Sequence, residues 1–204
     1  MEKKKKIKIK DIVLTALLTA LYLIFYTISG GITFIIGPFG HAISPGICGF
    51  LSGAIILFIN RKVGKFGQYL VLTAIIMVVF SLMGAGYLPW LITCMVTALI
   101  ADLIASRSNK TPVIFVAIAS GIMHVGQAWG TIVPSWFFME SYRTTWINKG
   151  QTPESMDAML KYTQGAMGVV STVIVFLLAF VGVWIGYLIL RKHLKEGKYR
   201  IEEN

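Results

Sequence analysis

Apolar runs of membrane-spanning length, parted by short basic stretches, leave this chain few ways to fold. A helix needs about 20 apolar residues to cross a hydrocarbon core about 30 Å thick. Six runs approach that length, at residues 12–28, 42–59, 69–85, 88–105, 112–133 and 166–190. The chain is 56% hydrophobic and only 14% charged, where soluble domains carry about 25% charge. Mean hydropathy is +0.74. The expectation is an all-α membrane protein, one integral domain over residues 1–204.

The net charge of +10 does not indicate nucleic acid, because the basic residues sit between the apolar runs. Lys3, Lys4, Lys5, Lys6, Lys8 and Lys10 precede the first run, and Arg61, Lys62 and Lys65 follow the second. Arg107 and Lys110 follow the fourth, and Arg191, Lys192, Lys195, Lys198 and Arg200 follow the sixth. Of the 19 basic residues, only Arg143, Lys149 and Lys161 fall on the other side of a six-span arrangement. Cytoplasmic loops are the basic ones. Six transmembrane helices with both termini cytoplasmic are therefore expected. "MEKKKKIKIK" resembles the start of a signal peptide, but no small-residue cleavage site follows, so the first run reads as a retained helix.

Between the fifth and sixth runs, Thr152 reads as an N-cap with Pro153 at the first helical position. Met156, Met159 and Leu160 then share one face, which predicts a short amphipathic helix over the outer surface. In "GPFGHAISPG", His41 is expected in an outer loop, with the second helix starting properly at Pro45.

Ionisable side chains inside a membrane are costly and mark function by default. His124 lies about 18 Å along the fifth span, in the outer half of the core. Gln127 shares its face, and Gly121, Gly126 and Gly130 let a backbone or ligand approach. Asp102, near the inner end of the fourth span and one turn before Arg107, reads as a paired interfacial carboxylate. Trp90, Trp129, Trp136 and Trp146 fall on the outer half against Trp184 alone. An aromatic belt explains part of that skew, and stacking on a flat ligand explains the rest. His41, His124, Gln127, Trp90 and Trp129 are thus the candidate substrate-binding residues. A turn around His41 and a helix–helix hydrogen bond at His124 are the ligand-free readings of the two histidines.

Small residues at i, i+4 recur as Ala16 and Ala20, Gly49 and Gly53, and Gly182 and Gly186, each permitting close helix contact. Cys48 and Cys94 lie in apolar runs as packing residues. There is no H-E-x-x-H, G-x-S-x-G or G-x-x-x-x-G-K-[ST] sequence. No enzymatic activity and no cofactor of the chain's own are expected.

The lysine-rich start, "KDIVLTALLTALY", "GPFGHAISPG" and the six-span length together resemble the Trep-Strep family of bacterial integral membrane proteins. Its members are regarded as S components, the substrate-binding subunits of energy-coupling factor (ECF) transporters. The resemblance implies a six-helix fold in the bacterial cell membrane that captures a micronutrient from outside. It also implies a T subunit and a pair of cytoplasmic ATPases as partners, with Ala16 and Ala20 on the T-subunit face. It fixes no substrate. A haem-like tetrapyrrole would take an axial bond from His41 or His124 and meet Arg143, Lys149 or Lys161 through its carboxylates. A vitamin stacked between tryptophans fits as well. The rival readings are an unpartnered membrane regulator or chaperone, and a metal-dependent membrane enzyme using the two histidines.

Overall fold

The computed structural model describes residues 7–106, 108 and 110–196, the last five as backbone only. Lys3 to Lys6, Arg107, Lys198 and Arg200 lie outside the described residues, as do the side chains of Lys192 and Lys195. The described residues form eight helices and no strand: α1 Ile9–Ile36, α2 Pro38–Lys62, α3 Gln68–Leu82, α4 Leu88–Ala105, α5 Val113–Phe137, α6 Met139–Asn148, α7 Pro153–Thr163 and α8 Gly165–Glu196.

Five helices are long and apolar enough to cross a membrane: α1, α2, α4, α5 and Gly165–Arg191 of α8. The third apolar run yields a shorter helix than its hydropathy promised. α3 has 15 residues, about 22 Å at 1.5 Å per residue. It stops because Gly84 turns to a φ of 84°, a conformation that suits glycine.

The six apolar helices close a ring. α1 packs on α2, α2 on α8, α8 on α5, α5 on α4, α4 on α3, and α3 back on α1, while α2 and α5 also meet across the middle. Accordingly 67% of the apolar stretch is buried in α2 and in α5, against 22% in α1. The α2–α8 seam is the closest. Gly53 lies on the backbone of Gly182, and a Cβ on Gly49 would stand 2.5 Å from that of Ala179. A Cβ on Gly186 would stand 2.5 Å from the Ala54 nitrogen. The two glycine pairs seen in the sequence are thus opposite sides of one contact.

The stretch around His41 differs from its expectation. α1 runs on to Ile36, and Gly37 alone joins it to α2. Gly37 adopts φ 83° and ψ −154°, a region open essentially to glycine. Pro38 then starts α2, its fixed φ suited to a first turn. A Cβ on Gly40 would sit 2.7 Å from the Thr33 carbonyl, so glycine lets α2 fold back on α1. His41 is therefore helical rather than in a loop, and Pro45 lies inside the helix rather than at its start.

At the bundle's other end, Asp102 of α4 caps α3. It accepts from the Tyr69 and Leu70 backbone N–H groups at 3.2 and 3.0 Å and from Ser106 Oγ at 2.5 Å. α3 has no side-chain cap of its own, so a carboxylate from a neighbouring helix satisfies donors at its first turn. Lys65 and Asp11, 2.5 Å apart, tie the α2–α3 turn to α1.

α7 forms as its sequence signals. Thr152 Oγ1 accepts from Ser155 N at 3.2 Å, Pro153 takes the first position, and Met156 and Leu160 are buried. α6 is a second short helix that no sequence signal announced.

A candidate cavity under the α6–α7 cover

One cavity, about 540 Å³, lies where the C-terminal part of α1, the start of α2, the end of α3, the start of α4 and the C-terminal half of α5 converge. α6 and α7 cover it. Its volume falls in the range of small-molecule sites, about 300–1,000 Å³.

The cover is fastened at several points. Arg143 of α6 binds Asp157 of α7 through Nε and Nη2 at 2.8 and 3.2 Å. Lys149 Nζ donates to the Gly84 and Gly86 carbonyls at 3.0 and 2.8 Å, tying the cover to the α3–α4 turn. Trp136 Nε1 donates to the Thr163 carbonyl at 2.7 Å. Tyr142 and Met156 pack beneath as a small apolar cluster.

The lining is aromatic and uncharged. Tyr26, Phe80, Tyr87, Trp90, Tyr142 and Trp146 contribute rings, and no Lys, Arg, Asp or Glu takes part. Tyr26 and Phe80 stand 4.6 Å apart by ring centroids, and Phe80 meets Trp90 edge-on at 6.2 Å. Trp90 fits against α5 because Gly130 has no side chain.

Three of the sequence candidates share this cavity: His41, Trp90 and Gln127. His41 is exposed at its rim. His124 does not line it. It is fully buried, with Nε2 2.9 Å from the Tyr22 hydroxyl, and Tyr22 in turn accepts from Gln127 Nε2 at 3.1 Å. Trp129 is on a different face, where Nε1 donates to Thr172 Oγ1 at 3.2 Å beside a separate apolar groove. Arg143 and Lys149 are engaged in fastening the cover, and Lys161 is not among the lining residues. Among the described residues, no three His, Cys, Asp or Glu side chains gather as a metal site.

Sequence reasoning passed over Tyr22 and Tyr26. Two tyrosines one turn apart in a mostly apolar span were the available signal, since a buried hydroxyl needs a partner. Both internal prolines also matter here. Pro45 and Pro134 lack the N–H that would bond the carbonyl four residues earlier. Those carbonyls belong to His41 and Gly130, both lining residues.

A family model described as a hypothetical bacterial integral membrane protein (Trep_Strep) matches residues 9–196. The chain belongs to this family. As a Trep_Strep member with several apolar helices, it is a multi-pass protein of the bacterial membrane. No curated protein and no solved structure was found to match it.

Proposed function

We propose that this protein is the substrate-binding S component of an ECF-type importer, with six spans and both termini in the cytoplasm. The observation that carries the reading is the covered, uncharged, aromatic cavity at one end of the bundle. Charge supports its direction. Arg143, Lys149 and Lys161 belong to the cover, whereas Lys8, Lys10, Arg61, Lys62, Lys65, Lys110 and Arg191 sit at helix ends away from it. By the positive-inside rule the cavity opens outward.

The cargo that suits the lining is a flat, neutral heteroaromatic of vitamin size. Rings on several helices favour stacking. A tetrapyrrole with two carboxylates would find no cation on the lining, and His41 as its one available axial ligand. Transport needs a T subunit and a pair of ATPases, since the chain carries no nucleotide-binding loop of its own. Ala16 and Ala20 lie on the outward side of α1, Ala20 exposed among exposed Val13, Leu17 and Ile24, a surface that suits a partner helix.

Affinity capture from native membranes, followed by mass spectrometry of proteins and small molecules, tests the reading. A membrane partner, two ATPases and a flat neutral compound are expected with the unaltered chain. Ala16→Leu and Ala20→Leu are expected to lose the ATPases and uptake while keeping the compound. Capture without any ATPase, or uptake unchanged in both variants, rejects the assignment.

A further inference from the structure

Beneath the cavity three side chains fix one another in a single sense. His124 Nδ1 lies 2.7 Å from the Ser120 carbonyl, with Ser120 Oγ farther off at 3.4 Å. A carbonyl oxygen only accepts, so this ring nitrogen carries the hydrogen. Nε2 is then the acceptor of a neutral imidazole, and the Tyr22 hydroxyl donates to it at 2.9 Å. With its one hydrogen so placed, the Tyr22 oxygen accepts, and Gln127 Nε2 donates to it at 3.1 Å. The orientation of the Gln127 amide follows. Its nitrogen turns toward Tyr22, and its oxygen is left over.

That oxygen, Oε1, is buried and has no hydrogen-bond partner. Gln127 is 4% exposed and lines the cavity. One turn along the same face of α5, the Gly130 carbonyl lacks its helical donor because Pro134 has no N–H. Across the cavity the His41 carbonyl lacks its donor because of Pro45. Gln127 Oε1 is thus an acceptor left over beside the cavity. At the cover the unpaired group is a donor, because Trp146 Nε1 is buried without a partner.

We propose that the cavity selects a neutral lactam, imide or ureide ring that presents an N–H edge to Gln127, and that Tyr22 and His124 set this preference by fixing the sense of the Gln127 amide. The proposal rests on the substrate-binding reading and names the class of its cargo. Gln127 contacts the ligand. Tyr22 and His124 do not line the cavity and are positioning residues. A ring alkylated at that nitrogen, or one carrying a carboxylate there, brings a methyl group or lone pairs against Oε1 and is refused, because an acceptor is then left unpaired.

The test uses pairs that differ only in N-methylation: xanthine against caffeine, uracil against dimethyluracil, and lumazine against dimethyllumazine. Binding to the full chain in detergent is read by equilibrium dialysis. In at least one pair the N–H member is expected to bind about 10-fold tighter or better. Gln127→Leu keeps the side-chain volume and the Tyr22–His124 bond, so folding is not at stake, as a size-exclusion profile verifies. It should weaken the N–H member about 10-fold and leave the methylated member unchanged. Tyr22→Phe frees the amide to turn over, and should retain binding while narrowing the gap within the pair. A methylated member binding as tightly as its N–H partner overturns the inference and leaves the binding function standing. A gap that survives in Gln127→Leu does the same. Failure of every probe to bind rejects the neutral-heteroaromatic cargo itself, and this inference with it.

Discussion

Gly130 illustrates what one absent methyl group does. A Cβ there would meet the Trp90 side chain, standing 2.7 Å from its Cβ. Gly130→Ala is therefore expected to drive the indole into the cavity, weakening ligand binding about 10-fold or more. Overpacking of this kind costs about 1–3 kcal/mol, so thermal melting in detergent should fall as well. Wild-type affinity in that variant would show that Trp90 does not shape the site. The sequence singles out this glycine as a point of close approach, but it cannot say what approaches: an indole from α4, not a ligand. His124 is legible in the same partial way. Its cost within a membrane demands a partner, yet Tyr22 stands 102 positions upstream, a separation no local pattern bridges.

The cover is held by an exposed ion pair between two short helices. The bond from Arg143 holds the Asp157 carboxyl below its ordinary value of 3.8. A carboxyl lowered in the folded state contributes stability in full above that ordinary value, and loses it as pH falls through the lowered one. Amide protection across α7 should therefore stay constant from pH 8 to about 5 and drop only in stronger acid. Asp157→Asn should raise tryptic cleavage at Lys149 by about 2- to 5-fold at low ionic strength, a difference shrinking in about 1 M salt. Equal cleavage at low salt would remove the pair from the closure. α7 was readable because its start is written locally, in Thr152 and Pro153. α6 was not, since Tyr142 is its one buried residue and leaves no periodicity to read. The α1–α2 joint is not legible because proline has two uses: it disturbs a helix from within but suits its first turn, and here Pro38 takes the first turn while Pro45 is carried inside the helix.

At the scale of the bundle, hydropathy predicts which segments are helical and apolar, but it misses the early end of α3, the extension of α1 to Ile36 and the start of α2 at Pro38. The ring order is not legible, because it depends on which glycines face which helix. The α2–α8 seam is the tightest part of that ring, and Gly53→Ala would force a methyl group into the Gly182 backbone. Loss of the monodisperse peak in detergent, or a fall in melting temperature corresponding to about 1–3 kcal/mol, is expected. The same change at Gly30, which has nothing within 4 Å of its Cβ position, should leave folding intact. The cavity escapes sequence reading for a related reason. Five helix ends supply it, and each contributes too little to form a motif.

α1 carries two surfaces on one rod. Thr33 and Phe34 near its end line the cavity, and Ala16 and Ala20 stand four to five turns away on the outward side. Its 28 residues reach about 42 Å, and a single glycine joins it to the next helix. A tilt of this rod at Gly37 moves both surfaces together. Under the proposed function, linkage imposes a symmetry on the two events: whatever factor an occupied cavity adds to docking along α1, docking returns to the cargo's affinity. A partner that favoured the loaded subunit would then not also be what prises the cargo loose. Release would draw on a separate source of work, such as nucleotide hydrolysis acting through the docked partner.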